Sequence, residues 1–540
     1  MRWRATMGTE RDLVLSTMRT PSMMGAAAAL CLLAGCKAND RYVPGAVKEV
    51  LGVSMGSIRT AIAARLDSGK APSWVSRDRW KRVNGLYRRF GNAPLWLEPE
   101  GVRDRADALL KAIDAAPTHA LVTEAYPLDS IRGVVNSEYL TKSKTPQALA
   151  DADVLLTTAY VAYASDMLVG QVDPKSVSQS WHIPVQMHEV DSALVRSLQN
   201  PSMAQSLAAM APQDSGYTVL REALARYKQI VAEGGWPAVG GGGSNGAAAT
   251  ALRARLAVEG YLSDTSATAG EAMGFAIKEF QERHGLAVTG RLSRGTVEAL
   301  NVSAEERLTQ IASNLERMRW LPRSLGSRYI FVNVPAFRVE AYDSGQKKLE
   351  MKVVVGSEYQ GRSTPVFSDS MEFVVFRPYW NVTPSIAAKE FFPKYGANLP
   401  AGYETYREKG VLRIRQRPGE KNSLGLVKFL FPNDFNIYLH DTPAKALFEQ
   451  ADRAKSHGCI RLEHPDQMAE FVLGWSNDRV QQAMHGSDNR TYTLPKKIPV
   501  YIVYFTAYGR DGQLYFGDDI YGRDDALEEE MADTLAKKST

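Results

Sequence analysis

Residues 435–462 read FNIYLHDTPAKALFEQADRAKSHGCIRL, and this stretch brings a histidine and a cysteine close together in the chain. Its first part, FNIYLHDT, is rich in aliphatic and aromatic residues and predicts a short β-strand. Because side chains alternate along a strand, Tyr438 and His440 are expected on one face, with the histidine at the strand end. Cys459 follows further along the chain, directly after a Ser-His-Gly tripeptide. The stretch therefore predicts a site built from an imidazole and a thiol.

The histidines near Cys459 are candidates for activating its thiol. A thiol attacks only as the thiolate, and its ordinary pKa of about 8.5 leaves it mostly protonated at neutral pH. We expect His440 to be the general base, and we give His457 a supporting role because its ring is too close in the backbone to face the sulfur. The imidazole needs an orienting partner on its second nitrogen. The carboxylate of Asp441 and a backbone carbonyl near Asp441 are both candidates.

Gly458 directly precedes the thiol, and glycine tolerates the backbone dihedrals of a tight turn. Such a turn can aim N–H groups at the oxyanion of a tetrahedral intermediate, and each donor contributes about 3 to 4 kcal/mol. We expect the N–H groups of Gly458 and Cys459, with His457, to form this oxyanion hole. Ser456 is expected to contact the substrate. Arg461 is a candidate for binding a substrate carboxylate or for a structural ion pair.

Length and composition limit the class of protein. The chain has 540 residues, of which 44% are hydrophobic and 23% charged, values that are typical of soluble globular proteins. This length predicts about three or four domains. The net charge of +5 is spread over the whole chain and does not indicate nucleic-acid binding. The sequence has no Cys/His cluster with metal-ligand spacing, so we predict no metal site.

The N-terminus predicts export. A positive charge at Arg19 precedes an apolar run, residues 23–34, which is shorter than the about 20 residues of a membrane-spanning helix and is typical of a signal peptide. The run leads into Leu-Ala-Gly-Cys, which resembles the lipobox of bacterial lipoproteins, so Cys36 is expected to be lipidated. An ordinary cleaved signal is the alternative. Residues 1–36 are thus predicted to be a signal peptide with a lipobox. Lys37 after the cysteine favours a periplasmic protein anchored to the outer membrane.

The chain has three cysteines, Cys31, Cys36 and Cys459. The first would be removed with the signal peptide, and the second would carry lipid. Secreted proteins usually pair their cysteines, so an unpaired thiol in this compartment is a candidate nucleophile.

Periodicity and composition divide the mature chain. Residues 37–76 mix small and polar residues and are expected to be a tether. Residues 77–233 show helical periodicity, which predicts an all-α scaffold domain. A glycine-rich connector follows at 234–249. Residues 247–303 predict a module of three short helices.

From residue 327 the periodicity changes to two, which predicts a β-rich domain over 327–506. Residues 507–540 are expected to be a hairpin followed by a charged tail. The predicted fold class is multidomain α+β, with a helical scaffold and a small three-helix module before a β-rich domain.

The three-helix module resembles peptidoglycan-binding domains. A loop reading DTSATAG departs from the acidic-glycine turn that is usual there. The matching residues are Leu256, Gly260-Tyr261-Leu262, Phe280-Gln281, Gly285-Leu286, Gly290, Thr296 and Leu300-Asn301.

HDT at 440–442 followed by SHGCIRL at 456–462 resembles the catalytic signature of the L,D-transpeptidases, which have the YkuD-type fold. Asp441 departs from the glycine usual in this family, but the large envelope-anchored branch that resembles YcbB has the same HDT. That branch combines a helical scaffold, a peptidoglycan-binding module and the catalytic domain in the order predicted here.

The resemblance implies cell-wall crosslinking that needs neither a metal nor an organic cofactor. The thiolate would attack a tetrapeptide stem after its third residue, release D-alanine, and pass the acyl group to an amine of a second stem. Carbapenems acylate the corresponding cysteine in this family, and penicillin-binding proteins are expected partners. Residues 394–437 resemble a capping insertion that acts as a lid. Trp380, Tyr379 and Tyr438 are expected to form an aromatic wall for the stem.

Other functions are also compatible with parts of the sequence. Related enzymes attach lipoproteins to the wall, exchange D-amino acids or cut crosslinks. A non-catalytic peptidoglycan-binding tether would use the module and the lipid alone. A papain-like hydrolase is disfavoured, because such enzymes place the cysteine before the histidine in the chain.

Overall fold

The computed structural model describes residues 47–539, except 103, 137–139, 141, 241–245, 264–270, 359–361 and 397. The predicted signal peptide and Cys36 lie outside the described residues. None of the helices in the described part of the chain combines the length and apolar character that a membrane crossing requires.

Helices dominate the N-terminal half and strands the C-terminal half. The helices are α1 (Met55–Asp67), α2 (Arg77–Arg89), α3 (Asp104–Asp114), α4 (Leu128–Val135), α5 (Pro146–Val169), α6 (Pro174–Val177), α7 (Met187–Gln199), α8 (Met203–Ala208), α9 (Ser215–Ala232), α10 (Ala247–Val258), α11 (Glu271–Arg283), α12 (Arg294–Leu300), α13 (Ala304–Arg319), α14 (Pro384–Ile386), α15 (Phe392–Tyr395), α16 (Pro465–Leu473), α17 (Asn477–His485) and α18 (Asp524–Ser539). Short 3₁₀ turns lie at Ala116–His119, Thr123–Ala125 and Lys445–Glu449, and a π-helical turn at Ala387–Phe391.

The strands are β1 (Glu49–Val50), β2 (Val53–Ser54), β3 (Leu97–Glu98), β4 (Gly101–Val102), β5 (Arg328–Asn333), β6 (Arg338–Asp343), β7 (Gln346–Gly356), β8 (Phe367–Phe376), β9 (Trp380–Asn381), β10 (Tyr403–Glu408), β11 (Val411–Gln416), β12 (Val427–Leu430), β13 (Leu439–His440), β14 (Ala454–Ser456), β15 (Ile460–Leu462), β16 (Arg490–Val503), β17 (Ala507–Arg510) and β18 (Gln513–Phe516). This arrangement confirms the predicted fold class.

The N-terminal helices pack around α5, which is buried on most sides. Two buried carboxylates of this helix hold its neighbours. Asp153 accepts hydrogen bonds from the backbone N–H groups of Leu95 at 2.9 Å and Trp96 at 2.8 Å, and Asp166 forms an ion pair with Arg79. Because a buried carboxylate is stable only with donors around it, these contacts fix the chain segments that face α5.

The segment expected to be a tether, residues 37–76, is largely folded where the structure describes it. Helix α1 contacts α5 and buries Ile58, Ile62 and Leu66 in the helical core. These residues recur every four positions, which gives the helix one apolar face. This part of the segment therefore belongs to the helical domain.

The predicted three-helix module is formed by α10, α11 and α12 around a small core that includes Leu256 and Phe280. Gln281 fixes the turn after α11, because its side-chain oxygen accepts from the backbone N–H groups of Thr289 at 2.8 Å and Gly290 at 2.9 Å. The module therefore has its own hydrophobic core and a turn that is held by the side chain of Gln281.

The C-terminal half is built on a nine-stranded sheet with the order β14-β7-β15-β13-β12-β8-β16-β5-β6. β6, at one end of this order, also pairs with β7 near the other end, so the sheet closes on itself. Val427, Phe429, Leu439 and Ile460 on the central strands are fully buried in its core. Because side chains alternate along a strand, the residues between them lie on the opposite face, where a site can form.

A capping substructure projects between β8 and β12. It contains the three-stranded sheet β10-β11-β9 with α14 and α15. We expected a lid over 394–437, but this substructure spans 380–416. Strand β12 instead belongs to the main sheet, because it pairs with both β8 and β13. The core of the capping substructure consists of Val382, Ala387, Phe391 and Ile414.

Helix α13 carries buried charges that bond to both halves of the molecule. Glu316 pairs with Arg319 at 2.5 Å, with both side chains almost fully buried, and Arg319 donates to the carbonyl oxygen of His119 at 2.8 Å. Towards the C-terminus, Arg317 pairs with Asp524 at 2.5 Å. The helix thereby connects the helical domain to the last helix of the chain.

Replacing Glu316 by glutamine should remove the charge that compensates buried Arg319. Breaking one partner of a buried ion pair typically costs about 3 to 5 kcal/mol, so we expect a clear drop in the thermal unfolding midpoint. Glu298→Gln is the control, since its pair with Arg294 is exposed and such pairs contribute about 1 kcal/mol or less. Equal midpoints for the two variants would contradict this account.

Candidate active site

Three adjacent strands carry the residues of the predicted site. In the parallel pair β13–β15, His440 lies opposite Arg461, and in the antiparallel pair β13–β12, His440 lies opposite Lys428. Paired residues of neighbouring strands project to the same face, so these three side chains form a row. Tyr438 and Cys459 lie two positions before His440 and Arg461, just ahead of these strands, and they line the same cavity. The structure thus brings the predicted imidazole and thiol to one surface.

This surface is the floor of a cavity of about 690 Å³ that lies between the main sheet and the capping substructure. Lys428, Arg362 and Asn436 line the cavity and were missed by sequence reasoning. For Lys428 the sequence did contain a signal, because this lysine alternates with apolar residues in β12. The predicted site residues that line the cavity are Tyr379, Trp380, Tyr438, His440, Ser456, His457, Cys459 and Arg461.

The backbone of Asp441 orients the imidazole. Nδ1 of His440 donates a hydrogen bond to the carbonyl oxygen of Asp441. A carbonyl oxygen can only accept, so Nδ1 carries the proton and Nε2 keeps its lone pair. Of the two partners that the sequence left open, the backbone carbonyl is therefore the one that holds the ring. His440 is 3% exposed, which restricts the ring further.

The carboxylate of Asp441 stabilises the backbone around His440 through hydrogen bonds. It accepts from the backbone N–H groups of Leu426 at 2.8 Å and Thr442 at 2.7 Å, and from Nζ of Lys445 at 2.9 Å. Gly425 makes this approach possible, because a Cβ atom there would lie 2.2 Å from the carboxylate. The side chain of Asp441 thus fixes the strand end, while its carbonyl fixes the imidazole.

Burial sets the protonation states of the thiol and the imidazole. The thiol of Cys459 donates to the carbonyl oxygen of Asn436 at 3.6 Å, and burial raises the pKa of Cys459 to about 11. Burial, together with the positive charges of Arg461 and Lys428, lowers the pKa of His440 to about 3. The resting site therefore holds a thiol and a neutral imidazole at neutral pH. A nucleophilic role for Cys459 would therefore require proton transfer to His440 rather than a preformed thiolate.

Hydroxyl groups hold the turn before the thiol. Gly458 has φ +111°, a region that favours glycine, and its carbonyl oxygen accepts from the hydroxyl of Thr364 at 2.9 Å. The hydroxyl of Ser456 accepts from Gly458 N–H at 3.1 Å and donates to the carbonyl oxygen of Cys459 at 2.6 Å. We expected Ser456 to contact substrate and Gly458 N–H to bind an oxyanion, but these two groups bind each other. The N–H of Cys459 remains the candidate oxyanion donor, and His457 is exposed at the cavity.

Comparison with protein families agrees with the predicted fold class. Residues 81–224 match the model described as "Scaffold domain", and residues 245–300 match "Putative peptidoglycan binding domain". Residues 327–502 match the YkuD model, "L,D-transpeptidase catalytic domain". Residues 327–502 thus match an L,D-transpeptidase catalytic domain, and they follow segments that match a scaffold domain and a peptidoglycan-binding domain.

Individual relatives cover only part of this chain. A Haemophilus influenzae protein named "Putative L,D-transpeptidase" is 32% identical over 268 residues, which are 44% of this chain and 54% of that protein. The chain therefore spans about half the length of this curated relative.

Two solved structures share less with the chain. An L,D-transpeptidase from Xylanimonas cellulosilytica is 16% identical, with 49% of this chain and 98% of that one covered and a TM-score of 0.16. A fused Zn-dependent amidase/peptidase/peptidoglycan-binding domain-containing protein from Clostridium acetobutylicum is 15% identical, with 48% and 97% covered and a TM-score of 0.16.

The rate at which iodoacetamide alkylates Cys459 in the free protein should rise continuously with pH. Only the thiolate reacts, and burial raises the pKa of Cys459 to about 11, so the reactive fraction grows across the whole range from neutrality upward. Mass spectrometry of the modified peptide measures the rate, and a Cys459→Ser variant accounts for the other cysteines. A plateau near neutral pH would indicate a preformed thiolate–imidazolium pair and contradict the neutral resting state.

Ser456→Ala should slow acylation of Cys459 by removing the hydroxyl that bridges the turn. A buried donor left unsatisfied costs about 1 to 3 kcal/mol, so we expect a loss of about 10- to 100-fold in the acylation rate. The apparent affinity for the acylating β-lactam should change little, since the hydroxyl bonds only to backbone groups. Ser487→Ala, at an exposed serine after α17, is the matched control. A change confined to affinity would instead assign Ser456 to substrate contact.

Proposed function

We propose that this protein is a cysteine L,D-transpeptidase that forms third-to-third crosslinks in peptidoglycan. One observation carries the proposal. Cys459 lines the same cavity as His440, whose Nδ1 is fixed by the Asp441 carbonyl so that Nε2 is the available base. The L,D-transpeptidase domain and the peptidoglycan-binding domain support murein stem peptides as the substrate class.

In the first step, the thiol of Cys459 passes its proton to Nε2 of His440 while the sulfur attacks the carbonyl carbon of the third stem residue. The carbonyl oxygen becomes an oxyanion near the N–H of Cys459. The intermediate collapses, the bond from the carbonyl carbon to the D-alanine nitrogen breaks, and the imidazolium of His440 gives its proton to that nitrogen. A thioester remains and free D-alanine leaves.

In the second step, a side-chain amine of another stem attacks the thioester carbon. His440 accepts a proton from the attacking nitrogen, the bond between carbon and sulfur breaks, and the sulfur of Cys459 recovers its proton from the imidazolium. An amide crosslink is the product, and the enzyme returns to its starting state. The two steps exchange one amide for another, which is covalent catalysis by an activated nucleophile.

We also propose that the protein works in the periplasm, anchored to the outer membrane through lipid on Cys36. The apolar run and the Leu-Ala-Gly-Cys sequence near the N-terminus support this location. Penicillin-binding proteins, which supply the glycan strands and stems, are the partners that this role would require.

Incubating the full-length protein with disaccharide-tetrapeptides tests the proposal directly. Mass spectrometry should find dimers that have the mass of two tetrapeptide monomers less one D-alanine and no added water. The Cys459→Ala variant should give no product, and Glu298→Gln, remote in sequence and exposed, should give normal amounts. Dimer formation that survives in Cys459→Ala would contradict the mechanism.

Other products would identify a different reaction of the same site. Free tripeptides alone would indicate a carboxypeptidase, and tetrapeptides with a new terminal residue after addition of another D-amino acid would indicate exchange. A carbapenem adduct on Cys459 is expected in the unmodified chain and absent in Cys459→Ala. The absence of any product or adduct would favour a non-catalytic tether.

A further inference from the structure

Two cationic side chains flank the proposed base on the cavity floor. Lys428 is the β12 neighbour of His440 and Arg461 is its β15 neighbour. Neighbouring strands lie about 4.8 Å apart, so the three side chains share one narrow row. All three line the same cavity. The imidazole therefore lies between two positive charges.

Neither cation is paired with a carboxylate in the part of the chain that the structure describes. Among the described residues, no ion pair and no side-chain hydrogen bond involves Lys428 or Arg461, and Nε of Arg461 is buried without an acceptor. Two other basic residues nearby are paired: Lys445 binds Asp441 at 2.9 Å and Arg413 lies 3.5 Å from Glu408. Unpaired charges that are partly withdrawn from water are costly, so this pair is expected to have an anionic ligand.

We propose that Lys428 and Arg461 form a carboxylate subsite that binds the α-carboxylate of the residue leaving the donor stem. This inference rests on the proposed transpeptidation and specifies how that site selects its substrate. The leaving nitrogen must come within hydrogen-bond reach of Nε2 of His440 to receive a proton. The α-carboxylate carbon of the same residue lies about 2.5 Å from that nitrogen, which brings the carboxylate to the cations beside the imidazole.

The same subsite serves the acceptor. The attacking amine of the second step occupies the position that the leaving amine has vacated, because both nitrogens exchange a proton with the same imidazole. In diaminopimelate the side-chain amine is on a carbon that also bears a carboxylate, as the amine of alanine is. Lys428 and Arg461 therefore select a donor with one residue beyond the cleaved bond and an acceptor amine with a neighbouring carboxylate.

A simpler role for the two cations is to stabilise the thiolate of Cys459 alone. The two roles differ in how they depend on the substrate. If the cations only stabilise the thiolate, removing one of them should lower the rate equally for every substrate. A carboxylate subsite affects only substrates that carry the carboxylate.

The test compares a tetrapeptide stem ending in a free carboxylate with the same stem ending in a carboxamide. For the unmodified protein, kcat/KM should be about 10- to 100-fold higher for the acid, the range expected for a charged hydrogen bond. Lys428→Met and Arg461→Met should each lose most of this preference, with the rate on the amide changed much less. Arg413→Met, which removes a paired cation of the same cavity, should retain the preference.

A binding measurement with the inactive Cys459→Ala variant separates this inference from the proposed reaction. Calorimetry should find tighter binding of the acid than of the amide, and adding Lys428→Met or Arg461→Met should abolish the difference. If this difference in binding is found but no transpeptidation occurs, the result supports the carboxylate subsite and contradicts the proposed reaction. Equal binding and equal turnover of acid and amide, or equal losses on both in the variants, would overturn the subsite.

Discussion

The register between β13 and its two neighbours is the constraint on which both the core and the site depend. Leu439 and Ile460 face the hydrophobic core as partners, while His440 and Arg461 face the cavity as partners. A slip of one residue would move His440 into the core and Leu439 into the cavity. The cost of burying the polar side chains would oppose such a slip, so the packing of the core also fixes the relative position of thiol and imidazole.

The turn that presents Cys459 is supported from outside the segment that matches the catalytic-domain family. The hydroxyl of Tyr521 donates to the carbonyl oxygen of Gly356 at 2.5 Å and accepts from Thr364 N–H at 3.2 Å. Thr364 in turn donates to the carbonyl oxygen of Gly458. A Cβ on Gly356 would lie 2.9 Å from the Cα of Gly458, so the two backbones are in close contact. The C-terminal segment, which the Arg317–Asp524 pair ties to α13, therefore belongs to the framework of the site.

Features set by local sequence could be predicted, whereas those set by pairing of distant segments could not. The strand ending at His440, the glycine at Gly458 and the order of the domains all follow from short-range patterns. The importance of Lys428 depends on which strand lies beside β13, and one strand's sequence does not contain that information. Similarly, RYIFVNVPAFRVEAY reads as one strand but forms β5 and β6, with a turn in which Phe337 has φ +51°.

The contacts made by the side chains of Ser456 and Asp441 were missed for a related reason. Each is polar and adjacent to a candidate catalytic residue, which favours a direct chemical role in a sequence-based interpretation. In the structure, their side chains satisfy backbone N–H groups that the tight turn and the strand end leave without partners. Buried backbone groups need such partners. A polar residue next to a candidate catalytic residue can therefore serve to hold the backbone in place as readily as to take part in the reaction.

The charges of Lys428 and Arg461, which flank His440, explain why the thiol and the imidazole are both neutral at rest and how they can still react. Positive charge from Lys428 and Arg461 favours the thiolate of Cys459 but opposes the imidazolium of His440, as the causes of both pKa shifts indicate. Proton transfer creates both ions together, so the two effects of the cations oppose each other. An anion bound between them would offset the repulsion felt by the imidazolium and leave the oriented ring free to accept the proton. A thiol that stays protonated until its substrate binds is also less exposed to oxidation, which would suit the proposed periplasmic location.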